Sequence, residues 1–220
     1  MKQVIAILML GWALPLAAHA AKPHTYVLVP GAYEKISIDD GEHWLGVYAT
    51  AAGCSVKPCV IKVSKEKNPE TGTYPDIVTW VRATPGEGLM FMVKGNPKIQ
   101  PGPLPTGFCD KDDRNPEVGA VTVGKRVYTF SRATEESASG GKMERLYVAE
   151  GAQRMLVAET GARDSVILKW AGDLDGDGRL DAYVLLSHHN YNEDQLLFLS
   201  GHAGNASTER VARFSGRKLQ

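Results

Sequence analysis

The sequence predicts an all-β protein, mainly antiparallel, either sandwich-like or divided into two small β domains. Three observations carry this reading. Short segments rich in β-branched and aromatic residues recur along the chain, turn-forming residues separate nearly all of them, and no stretch sustains a helical period over several turns. In order, the strand candidates are Tyr26 to Val29, Trp44 to Tyr48, Val60 to Val63, Ile77 to Val81 and Leu89 to Val93. The second half continues with Val118 to Val123, Arg126 to Phe130, Leu146 to Ala149, Met155 to Ala158, Val166 to Trp170, Ala182 to Leu186 and Gln195 to Leu199. Gly124-Lys125 and Glu150-Gly151-Ala152-Gln153 have the composition of hairpin connections.

Between the halves, Gly95-Asn96-Pro97 and then Pro101-Gly102-Pro103-Leu104-Pro105-Thr106-Gly107 read as a linker or long surface loop, because proline donates no ladder hydrogen bond. The expected division is therefore a leader over 1–20, an N-terminal β region over 21–107 and a C-terminal β region over 108–220. One sandwich with a wandering connection fits as well as two small domains. No repeat of fixed period is present, which argues against a propeller or solenoid.

The leader has Lys2, an apolar stretch from Val4 to Leu16, and Ala18-His19-Ala20 before Ala21. This is the pattern of a signal peptide cleaved after Ala20, with a periplasmic or secreted destination. Gly11 and Pro15 interrupt the apolar run, which is shorter than the roughly 20 residues of a membrane-spanning helix, so no membrane anchor is expected. The 25 basic and 25 acidic residues cancel, and neither sign forms a long run. No electrostatic footprint for nucleic acid or an anionic membrane follows.

The three cysteines, Cys54, Cys59 and Cys109, all lie beyond the leader, where disulfides persist. Cys54 with Cys59 is the natural pair, since Ser55-Val56-Lys57-Pro58 between them has the makings of a turn. A bridge from either one to Cys109 is the alternative.

The segment that carries chemistry is Asp173-Leu174-Asp175-Gly176-Asp177-Gly178-Arg179-Leu180-Asp181. Aspartates stand at loop positions 1, 3, 5 and 9 of this segment. Alternate residues of a curling loop can aim their carboxylates at one centre, and a hard cation such as Ca2+ takes six to eight oxygens. Gly178 permits the sharp bend, after which the main-chain carbonyl of Arg179 can face the ion. Leu180 is expected to point into the core. Asp173, Asp175, Asp177, Arg179 and Asp181 are thus the candidate metal ligands.

This pattern resembles the calcium loops of integrin-α-type FG-GAP and VCBS repeats, and more loosely those of dockerins and EF-hands. The FG-GAP resemblance implies side-chain ligation by Asp173, Asp175, Asp177 and Asp181 and main-chain ligation by Arg179. It departs from the EF-hand at position 12, where Val184 replaces the bidentate glutamate, and Ala182 to Leu186 reads as a strand leaving the loop. The segment from Lys169-Trp170 to Leu199-Ser200 is also similar to uncharacterised bacterial secreted proteins that end in such a module.

Weaker candidates have plainer explanations. His188-His189-Asn190 reads as a polar turn, and Glu193 or Asp194 is a candidate to complete the calcium shell. Asp110, Asp112, Asp113 and Glu117 form a second acidic cluster without a bending glycine, hence a solvated loop. Trp44, Trp80 and Tyr74 are candidates for a sugar-stacking face, though large aromatics in strands are more often core. Neither Gly-x-Ser-x-Gly nor His-Glu-x-x-His occurs, and Ser200-Gly201-His202 is too common a neighbourhood to define a triad. No catalytic residue is assigned. The expected function is a secreted calcium-binding protein of the bacterial envelope with a non-enzymatic role toward an unknown protein or glycan, the ion being structural. A secreted hydrolase or accessory domain with a calcium-ordered loop is the alternative.

Overall fold

The computed structural model describes residues 24–51, 53–68, 77–104, 106–109, 119–138, 140–161, 163–188, 192–200 and 209–219. The expected leader and the expected cleavage site after Ala20 lie outside these residues. No α-helix occurs among the described residues, and none therefore is long and apolar enough to cross a membrane.

Every ladder is antiparallel. The N-terminal strands are β1 (Tyr26–Leu28), β2 (Gly31–Tyr33), β3 (His43–Thr50), β4 (Gly53–Lys67), β5 (Ile77–Thr84), β6 (Leu89–Lys94), β7 (Gly102–Leu104) and β8 (Thr106–Cys109). Then come β9 (Ala120–Val123), β10 (Arg126–Glu136), β11 (Lys142–Glu150) and β12 (Gln153–Gly161). The chain closes with β13 (Ser165–Gly172), β14 (Asp181–Ser187), β15 (Asn192–Leu199) and β16 (Glu209–Leu219). Strands β9 to β12 make a four-stranded meander, and the rest form a sheet in the order β1-β6-β3-β4-β5-β2-β16-β15-β14-β13-β8, with β7 also on β4. Each strand candidate falls within one of these strands, apart from Val29 after β1 and Gly119 before β9, with Val118 outside the described residues. Both expected hairpin connections are present.

The large sheet curls. Strand β1, at one end, packs against β15 and β16, and β8, at the other end, lies against β4. The concave side encloses Val47, Val56, Phe91 and Val93 from the N-terminal strands with Trp170, Tyr183, Leu197 and Leu199 from the C-terminal ones. Phe91 stacks on Tyr183 at 4.3 Å between ring centroids and meets Trp170 edge-on at 5.9 Å. Period-2 alternation sends Leu28, Tyr48 and Met92 to the opposite face, where they join Trp44, Ile61 and Val81. The meander covers the outer face of β13 to β15, bringing Val121, Tyr128, Phe130, Leu146 and Val148 onto Val166, Leu168, Val184 and Phe198. Strand β14 is therefore buried on both faces. Residues from both sides of position 107 contribute to the aromatic cluster.

Two expectations fail. Residues 102–104 and 106–109 are strands, not loop. Gly102 pairs with Val56 and Leu104 with Cys54, while Pro101 and Pro103 alternate with them. A strand shows alternate N–H groups to alternate sides, so prolines spaced by two can all withhold donors from the outer edge while Gly102 and Leu104 still pair. The Cys54–Cys59 bridge also fails. Ser55 to Pro58 runs straight within β4, so the two cysteines stand roughly 16 Å apart along a strand and, at odd separation, face opposite sides. Cys54 instead bridges Cys109, with Cα atoms 5.9 Å apart, and Cys59 is a free, buried thiol.

Candidate metal centre

Gly172 and Asp181 are the last pair of the β13–β14 ladder, so residues 173–180 form a loop closed by the hairpin itself. Two leucines anchor it in different cores. Leu174 enters the aromatic cluster inside the curl, and Leu180, as expected, enters the cluster under the meander.

Asp173 bends the loop: its Oδ1 accepts the Asp177 N–H at 3.0 Å and its Oδ2 accepts the Gly178 N–H at 2.9 Å. Gly176 and Gly178 each take φ of 76°, a left-handed conformation that side chains disfavour. Asp177 Oδ1 accepts the Arg179 N–H at 2.8 Å. One ligating oxygen from each of Asp173, Asp175 and Asp177 lies within 4.8 Å of the others. These carboxylates can hold a metal ion.

Asp181 is placed differently. It is 0 % exposed, its Oδ2 accepts the N–H groups of Leu174 at 2.6 Å and Asp175 at 3.3 Å, and its Oδ1 accepts the Ser200 N–H at 2.9 Å. It clamps the loop floor to the end of β15 and is not among the carboxylates gathered within that distance. Burial pushes its carboxyl up to about 8, against the pull of these hydrogen bonds. The Ser200 hydroxyl lies 3.2 Å from both oxygens of Asp177 and 3.3 Å from Asp181 Oδ1. A single O–H donates to one of these at a time. In the sequence Ser200 carries no signal beyond its place near His202, because its partners Asp177 and Asp181 are reached only by folding.

Asp175 is the exception in the loop. Its side chain is fully enclosed, and among the described residues neither carboxylate oxygen accepts a hydrogen bond of good geometry. The Lys98 ammonium approaches Oδ2 only to 3.8 Å. Burial first, and then repulsion from Asp177, raise its carboxyl above the ordinary range, while Lys98 and, more weakly, the poorly aligned Asp177 backbone N–H pull it down. Buried carboxylates are otherwise paired, so an orphan facing two further carboxylates is the arrangement a divalent cation resolves. The donor set is all oxygen, which suits a hard cation and not zinc or copper.

The other candidates separate from this loop. Asp194 bonds Arg213 at 2.7 Å and approaches His188 Nε2 at 3.5 Å, while His188 Nδ1 lies 2.8 Å from Asp164 Oδ2. Glu193 and Asp194 pair with Ser187 and Leu186, the end of β14 remote from the loop, so neither belongs to the aspartate cluster. Trp44 is buried with its Nε1 donating to Glu42, and Trp80 neighbours the inward Val81, so its side chain takes the opposite face. They make no shared sugar platform. Asp110, Asp112, Asp113, Glu117, Tyr74, His189 and His202 lie outside the described residues. A cavity of about 290 Å³ opens beside Trp44, with Ile36, Ile38 and Phe214 on its apolar side and Glu42 and Lys94 on its polar side.

No protein-family model, curated protein or solved structure matches the chain.

Proposed function

We propose that the 173–181 loop binds one Ca2+ as a structural staple in a secreted protein of the bacterial envelope, whose role is non-enzymatic binding of a protein or glycan. The orphaned carboxylate of Asp175 carries the metal assignment. Calcium fits because it accepts several carboxylate and carbonyl oxygens in irregular geometry, whereas Mg2+ demands near-ideal octahedra and keeps most of its waters. Asp173, Asp175 and Asp177 are the leading ligands, with Asp181 and the Arg179 carbonyl completing the set on the FG-GAP-like pattern.

The staple role follows from the loop's position. Leu174 and Leu180 root it in two separate cores, and Ser200 ties it to β15, so ordering the loop braces both sheets. Extracellular calcium modules bind with dissociation constants of roughly 0.1 to 1 mM, which at millimolar calcium adds about 0.4 to 1.4 kcal/mol. Thermal unfolding in EGTA and then in millimolar calcium tests this. The melting temperature should rise by about 1 to 5 °C with calcium, and Asp175→Ala should abolish the rise. An equal response in the variant, or none in the native protein, would remove the staple.

A further inference from the structure

The turn between β6 and β7 brings a cation to the loop from 77 residues away in sequence. Its backbone is fixed: Asn96 Oδ1 accepts the Lys98 N–H at 3.0 Å, Asn96 Nδ2 donates to Thr25 Oγ1 at 3.4 Å, and the Ile99 N–H donates to the Asn96 carbonyl at 3.3 Å. Ile99 is buried in the same cluster as Leu174, so the turn and the metal loop share a floor. From that rigid base the flexible Lys98 side chain reaches over, half exposed, to the enclosed carboxylate of Asp175. At 3.8 Å the contact is an ion pair without a hydrogen bond. It supplies the only positive charge that approaches Asp175 among the described residues.

We infer that Lys98 is a tethered competitor of the metal: its ammonium neutralises Asp175 in the ion-free protein and is displaced into solvent when a divalent cation enters the loop. This rests on the metal-binding reading above. A monovalent ammonium on a flexible stem compensates one of three clustered carboxylates, and a divalent ion reached by all three compensates more. The lysine thus keeps the empty loop folded and sets the cation concentration at which the loop loads. Release of Lys98 also makes the surface of the 95–100 turn report the loop's state.

Lys98→Met keeps the apolar stem and removes the charge, and it predicts a state-dependent result. In EGTA the variant should melt below the native protein, because Asp175 then has no cation beside it. In saturating calcium the two should melt alike, and the dissociation constant for calcium should tighten about tenfold. Lys125→Met is the control for long-range charge. Lys125 follows Gly124, whose Cβ position lies 3.4 Å from the Gly178 carbonyl, so this lysine is near the loop without touching a carboxylate. It should shift affinity far less. Equal melting losses in both states would make Lys98 a packing residue, and equal affinity gains in both variants would make it a distant charge; either overturns the inference.

A second readout needs no variant. Acetylation of Lys98 in the native protein, followed by mass spectrometry, should speed up on calcium addition while Lys125 stays constant. Unchanged Lys98 reactivity in protein that does bind calcium would refute displacement alone. Absence of calcium binding in native protein and Lys98→Met alike would refute the metal reading itself, and the inference with it.

Discussion

Asp175 and Asp181 are both enclosed carboxylates six residues apart at the same loop, yet their surroundings give them different work. Asp181 accepts from the backbone of three residues, whereas neither oxygen of Asp175 accepts a hydrogen bond of good geometry among the described residues. The aspartate spacing was legible because alternate loop positions can converge on one centre. The division of labour among the aspartates was not, since it depends on Ser200 and Lys98, partners 23 and 77 residues away. A third carboxylate shows the opposite electrostatics. Glu42 accepts from Lys94 at 2.6 Å, from the Asp39 N–H at 3.0 Å and from Trp44 Nε1 at 2.9 Å, and these donors hold its carboxyl down to about 2, with Lys94 the largest cause. A depressed carboxyl stabilises the fold above its ordinary value and loses that contribution as pH falls through the folded one. Glu42→Gln should therefore lower stability near neutrality, and its deficit should shrink as pH drops from about 4.5 to about 2. Urea unfolding across that range checks it, and a deficit constant with pH would contradict it.

At the scale of elements, the strands were legible because alternating apolar residues mark a half-buried sheet. Strand β14, apolar at nearly every position, marks one buried on both faces. What the pattern concealed was phase. Leu168 and Trp170 lie two apart and should share a face, but the register slips between them and Trp170 enters the inner cluster while Leu168 stays in the outer one. A bulge of this kind inserts one unpaired residue, here Lys169, and re-aims the chain into the aspartate loop. Strands β2 and β16 went unread because Gly31-Ala32-Tyr33 is too short to show alternation and Glu209 to Leu219 is rich in charged and small residues. Within the loop, Gly178 holds its φ of 76° with no heavy atom within 4 Å of a Cβ built there. Gly178→Ala should thus cost only conformational strain, about 1 to 2 kcal/mol. It should also weaken calcium binding, because the bend that aims the aspartates is strained. Denaturant titration with and without calcium measures both, and an alanine variant with native stability would show that the bend does not depend on glycine.

For the whole molecule, the aromatic cluster and the Cys54–Cys109 bridge do the joining. Phe91 from β6 lies between Tyr183 of β14 and Trp170 of β13, so a core built by long-range contacts links strands nearly a hundred residues apart. The bridge links β4 to β8, strands far apart in the order of the sheet, and so fastens the curl. Three cysteines in the sequence left the pairing open, because local proximity competes with a closure that only the folded sheet creates. With a sequence separation of 55 between its cysteines, the bridge should contribute about 4 kcal/mol by restricting the unfolded chain. Cys54→Ala with Cys109→Ala should lower the denaturant midpoint accordingly, and an unchanged midpoint would show that the curl holds without the covalent tie.

The most direct test of the central claim is calcium titration calorimetry on the native protein beside Asp175→Asn. The account predicts one calcium ion per chain, bound at roughly 0.1 to 1 mM in the native protein and lost when the Asp175 charge is removed. Failure to bind at millimolar calcium, or undiminished binding by Asp175→Asn, would contradict it.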